Sequence, residues 1–142
     1  MKHAAVASII TATLSATVVP VVASSASATA IVGTECDATG VHGEATWAWG
    51  GKTQLDNLRL TVKDTAGDGH HVGIRLVTVG PDDSIHEWPL HEEFGGKGAN
   101  HTWSTTATLA SGIKMVEVQA KTMEGSATVS ECGSAGVHNP AY

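Results

Sequence analysis

The chain has 142 residues, with 14 Asp and Glu against eight Lys and Arg, a formal net charge of −6, two Cys and 16 Gly. Its few basic residues stand singly, which excludes nucleic acid or an anionic membrane surface as partner, since both need clustered Lys and Arg to displace counterions. No window carries a helical stripe, and so many glycines fit turns better than helix interiors.

In chain order, Met1-Lys2-His3 is a short basic start, Ala4–Val22 is apolar without an acid, and small residues run from Ser24 to Ala30. That is the pattern of a secretory signal over 1–30, with an A-x-A site at Ala28-Thr29-Ala30, and Pro20 and the serines break the apolar run before it could span a bilayer. The expected location is secreted and extracellular, without membrane insertion after cleavage. The rest, 31–142, is one ordinary domain in which seven Lys and Arg face the same 14 acids. Its only cysteines, Cys36 and Cys132, read as a disulfide in an oxidising compartment. The bridge predicts that the first and last strands lie side by side or on facing sheets.

Ala45, Trp47 and Trp49 share one parity and give the first predicted strand an aromatic face. In Leu58–Val79, Leu58, Leu60 and Val62 alternate with polar residues, Val72, Ile74 and Leu76 repeat the pattern, and Asp64–Gly69 supplies turn chemistry, so a β-hairpin is predicted. From Gly80 to Asn100 the rhythm fails. A loop is expected there, with a short strand around Ile85–Trp88 ended by Pro89 and a flexible tether at Gly95–Gly98. Trp103, Thr105, Ala107 and Leu109 then alternate cleanly, Val116, Val118 and Ala120 follow, and Ala127–Cys132 makes a short last strand. The fold class is all-β: a single antiparallel β-sandwich of six to seven strands with one disulfide, the alternative being a small closed β-barrel.

Several motifs invite stronger readings. His86-Glu87-Trp88-Pro89-Leu90-His91 looks like the zinc motif H-E-x-x-H, but the second histidine is one place late and Pro89 opposes the helix that would align the pair. Asp64 and Asp68, with Asp82 and Asp83, suggest calcium on a glycine-rich loop, yet the spacing is not an EF-hand and a plain Asx turn is preferred. His70-His71, His86, His91 and His101 suggest a transition metal, but adjacent strand histidines face opposite ways. No nucleophile elbow is present and the paired carboxylates are mere sequence neighbours, so catalytic residues are not assigned. Trp47, Trp49 and Trp103 sit on core parities. Trp88, beside Pro89 and flanked by acids and histidines, has the make-up of a sugar-stacking or protein-contact position.

Val62-Lys63-Asp64-Thr65, Asp68, His70, Val72, Arg75 and the tail Asn139-Pro140-Ala141-Tyr142 resemble small secreted actinobacterial proteins that carry such a hairpin and end in Asn-Pro-Tyr. The resemblance implies secretion and a β fold, and no activity. Those proteins commonly hold two further cysteines, whose places fall here near Gly67 and Lys121. The expected function is a secreted non-catalytic binding domain for glycan or cell-wall material, using Trp88, His86, His91, Asp64, Asp68 and His70, with no cofactor beyond calcium at Asp64 and Asp68. The alternative is a protein-interaction module, such as a hydrolase inhibitor or surface assembly component, with an extracellular protein as partner.

Overall fold

A computed structural model describes residues 29–142; all but the last two residues of the expected signal segment lie outside the described residues. Ten strands follow: β1 (Ile31–Ala38), β2 (Val41–Trp49), β3 (Gln54–Asp64), β4 (His71–Val79), β5 (Ile85–Glu87), β6 (His91–Glu93), β7 (Asn100–Thr108), β8 (Met115–Glu124), β9 (Ala127–Gly133) and β10 (Val137–His138). One antiparallel sheet has the order β1-β2-β3-β7. The other has the order β10-β8-β4-β5, with β6 sharing the β5 edge of β4 and β9 the β10 edge of β8. Neither sheet closes on itself, so the fold is the sandwich and not the barrel.

The strand count exceeds six to seven for two physical reasons. Both edges of the second sheet are broken strands. Ile85–Glu87 pairs with Val77–Val79 and His91–Glu93 with Val72–Ile74, so β5 and β6 are one edge strand interrupted where Pro89, lacking an N–H, cannot join a ladder. β1 is the second reason, since only Cys36 along it is buried and it shows no apolar face to read. The segment expected as a loop is irregular over most of its length but carries two short strands, one at the place expected and one after Pro89, and its glycine tether is held by the Gly98 N–H donating to the Asp64 carbonyl at 2.8 Å.

The Leu58–Val79 hairpin is corrected. Leu58, Leu60 and Val62 do face inward, as do Val72, Ile74 and Leu76, but β3 pairs with β2 and β7 while β4 pairs with β5, β6 and β8. The Asp64–Gly69 turn carries the chain from one sheet to the other. A dry face beside turn residues fits a hairpin and an inter-sheet arch equally well, since both reverse the chain.

On β3 the register slips by one residue against both neighbours, between Leu55 and Leu58 against β7 and between Asp56 and Arg59 against β2. The extra residue is Asn57, at φ 53°, a left-handed conformation that Asn tolerates. The bulge changes strand parity, so Leu55 and Leu58, three apart, are both buried. Trp47 is fully buried nearby, edge-on to half-buried Trp49 with ring centroids 5.5 Å apart. Its indole N–H finds no acceptor among the described residues, a cost of about 1–3 kcal/mol that the largest core side chain offsets through its packing.

Cys36 on β1 and Cys132 on β9 form the disulfide, with Cα atoms 5.8 Å apart. It joins facing sheets, one of the two arrangements expected. Packed sheets normally lie about 10 Å apart, so here they must converge. Small residues permit it: Gly43 is the register partner of Cys36, Ala120 that of Cys132, and a Cβ on Gly43 would lie 2.5 Å from that of Ala120.

The tail is latched at the end of the sandwich. Buried Asn139 donates through Nδ2 to the Gly51 and Ile113 carbonyls, each at 2.9 Å, and its Oδ1 accepts from the Ala141 N–H at 2.9 Å. Satisfying every amide atom lets a polar side chain sit inside at little cost.

Candidate functional site

The two long sides of the sandwich are closed differently. On one, β1 lies against the second sheet, held by the disulfide and by the Thr34 hydroxyl donating to the Ala135 carbonyl at 3.0 Å. On the other, β7 and β5–β6 stand apart, and between them opens a crevice of about 250 Å³. Its floor is Leu58, Leu60 and Leu76, one wall is Trp88, Pro89 and His91, and the other is Thr105, Thr106 and Ala107.

Each wall follows from local sequence. At the Pro89 break, the Trp88 N–H donates to the Leu76 carbonyl at 3.0 Å, and its indole folds inward to donate from Nε1 to the buried Thr78 hydroxyl at 3.1 Å. Trp88 is therefore half-buried, with its polar atom already used. His86 meets it edge-on, centroids 4.9 Å apart. Trp103 of β7 stacks with two imidazoles, His91 at 5.0 Å and His101 at 4.3 Å between centroids, both within 30° of parallel. This stack is the aromatic tie from β7 to β6.

The rim of β5–β6 is acidic and paired. Glu87 meets Arg75 at 2.6 Å, Glu92 meets His71 at 2.9 Å and Glu93 meets His101 at 3.4 Å. Phe94 stacks on His71 with centroids 4.4 Å apart and is otherwise open, 69 % exposed.

Of the expected site residues, Trp88, His86 and His91 come together here. Asp64, Asp68 and His70 do not join them; they belong to the β3–β4 arch. Asp64 is buried and its Oδ1 accepts from the Ala66 N–H at 3.0 Å, while the Asp68 Oδ1 accepts from the His70 N–H at 3.0 Å. Both aspartates thus make the Asx turns expected of them. His70 Nδ1 lies 3.1 Å from Asp68 Oδ2, without the alignment of a hydrogen bond. The His70 backbone N–H, followed by its imidazole, holds the Asp68 carboxyl below its usual range. At the β4–β5 turn the Ser84 hydroxyl and then its N–H do the same for Asp82.

Among the described residues no three His, Cys, Asp or Glu side chains are grouped as a metal site. Trp103, His101 and the leucine floor were not marked by sequence as one surface. Only the shared parity of Trp103 hinted at it, because β7 and β5–β6 meet through the two-sheet topology and not through any local motif. A broader polar depression of about 550 Å³ lies along β3 and β7, lined by Asn57, Leu58, Arg59, Ser104, Thr105 and Thr106. It is larger than the crevice, but it is more open to solvent, and Leu58 is the one large apolar side chain in its lining, where the crevice has three leucines and Trp88. Comparison with protein-family models, with curated proteins and with solved structures finds no match.

Proposed function

We propose that the chain is a secreted, non-catalytic binding domain whose ligand is another polypeptide, taken at the open side between β7 and β5–β6. The observation that carries this is the apolar crevice floored by Leu58, Leu60 and Leu76, which suits an inserted aliphatic side chain. A glycan has less to hold. Sugars stack on open indole faces, whereas Trp103 is already stacked with the imidazoles of His91 and His101 and Trp88 is half-buried with its N–H given to Thr78. Secretion is supported by the Cys36–Cys132 bridge, a bond that persists in oxidising compartments.

The test immobilises the chain and offers it, in parallel, secreted proteins from the medium of the producing cells and suspensions of chitin, cellulose and peptidoglycan. The expected result is saturable capture of a defined protein that is lost in Thr105→Phe, a substitution that fills the crevice from an exposed strand position. Retention on a polysaccharide with no such capture overturns the polypeptide reading in favour of a glycan.

A further inference from the structure

Edge strands present unpaired N–H and C=O groups, and natural sheets blunt them with charge, proline, bulges or cover. Three of the four edges here are blunted. β1 lies beneath the disulfide and the Thr34 contact. β9 has a register irregularity at Val129 and carries Glu131. β5–β6 has Pro89, Glu87, Glu92 and Glu93. β7 has none of these devices: Asn100–Thr108 is nine residues, NHTWSTTAT, without Asp, Glu, Lys, Arg or Pro, and among the described residues it pairs on one side only, with β3.

Which backbone groups are free follows from the ladder. The Leu109 N–H donates to the Thr53 carbonyl at 2.9 Å, on the β3 side, and the Ala99 carbonyl likewise accepts from the Asp64 N–H at 2.9 Å. In an antiparallel pair both groups of alternate residues face the partner. The odd residues therefore bond β3, and Thr102, Ser104 and Thr106 turn their N–H and C=O outward. Inward-facing side chains of a strand added there would hang over the crevice.

Resting on the reading of this side as a polypeptide site, we infer that β7 takes its partner by strand addition. An extended segment of another protein pairs with Thr102, Ser104 and Thr106, and sets one aliphatic side chain against Leu58, Leu60 and Leu76. Main-chain bonds give such complexes their affinity, and the pocket for alternate side chains gives their specificity. Glu92 and Glu93 on the rim, which meet no Lys or Arg among the described residues, and the net charge of −6 select a segment with basic flanks. The same charge disfavours a second copy of this chain, because pairing β7 with its own copy brings two acidic chains and their β5–β6 rims towards one another.

The experiment selects random nonapeptides displayed against the full exported chain. The expected consensus has period two, aliphatic residues alternating with small or basic ones, and the selected peptides bind Ser104→Pro at least ten-fold more weakly. That substitution removes an outward N–H while leaving every β3 bond in place. Hydrogen exchange gives a readout independent of the variant's folding: saturating peptide slows the Thr102, Ser104 and Thr106 amides, while the Trp103 and Thr105 amides, already bonded to β3, change little. No enriched peptide, peptides that leave those three amides unprotected, or a chain that sediments as a dimer dissociated by Ser104→Pro would each overturn strand addition. A captured secreted protein that is lost in Thr105→Phe but kept in Ser104→Pro overturns it too, and leaves the polypeptide reading intact.

Discussion

Gly43→Ala is a one-carbon test of why the sheets approach so closely beside the disulfide. The new Cβ would lie 2.5 Å from Ala120 Cβ and 3.3 Å from Ile74 Cδ1; the isoleucine methyl ends its side chain and can give a little, whereas the alanine Cβ is fixed to its backbone and cannot. Overpacking of this kind costs about 1–3 kcal/mol, which for a domain of this size lowers Tm by roughly 5–15 °C. Ala120→Gly in the same chain removes the opposing atom, so the double variant should be more stable than the two single costs predict, with a coupling of about 0.5–3 kcal/mol. The Cys36–Cys132 bond adds a second condition, because while it is intact the sheets cannot spread to relieve the clash. Urea unfolding of all four chains, oxidised and reduced, reads both effects. Single costs that add to within about 0.5 kcal/mol, or a Gly43→Ala penalty unchanged by reduction, would refute the close-approach argument.

Asn139→Ala leaves the Gly51 and Ile113 carbonyls without their donor, at about 1–3 kcal/mol; thermal unfolding measures it, and the Ala141 and Tyr142 amides should exchange faster. Asn57→Gly should be near neutral and Asn57→Val clearly destabilising in the same assay, because φ 53° suits glycine and opposes a β-branched residue; equal costs would show that the bulge does not require that conformation. The Asp82 carboxyl, lowered by the Ser84 hydroxyl and N–H, contributes order to the β4–β5 turn above the ordinary aspartate range and loses it as pH falls through its own depressed value. Carboxyl NMR should place its midpoint below that of a free aspartate, and Ser84→Ala should move it up.

Much of the fold was readable because burial writes itself as period two. Leu58-Leu60-Val62, Val72-Ile74-Leu76 and Val116-Val118-Ala120 are core in the parity expected of them. Pairing was less readable, since the Asp64–Gly69 turn chemistry does not say whether the next strand lies beside the last or across from it. β7 misled in another way. Its alternation is clean, yet Ala107 alone is buried and Trp103 only half so, because the strand faces an open crevice instead of a filled layer. The site residues divided on the same ground: Asp64 and Asp68 did what local turn chemistry requires, whereas the setting of Trp88 depended on Thr78, ten positions away, and that of His91 on Trp103 across the sheets.

The unequal closure of the two sides also sets where the domain should open. On the β1–β9 side separation requires breaking a covalent bond, so those strands should part only in global unfolding. On the other side it requires only unstacking Trp103 from His91 and parting His101 from Glu93, and local openings draw on such weakly held elements. Stacked ring pairs are worth about 0.5–1.5 kcal/mol each, and of the two on Trp103 only that with His91 crosses between the sheets, His101 being on β7 itself, so Trp103→Ala should lower local protection by about 0.5–1.5 kcal/mol. That corresponds to roughly two- to 13-fold faster exchange. The acceleration should fall on the bonded amides of β6 and β7 and spare those of β1 and β9, while reduction of the disulfide should do the reverse. Equal acceleration on both sides in either experiment would mean that the sandwich opens as one unit, and that the crevice edge has no mobility of its own with which to admit a strand.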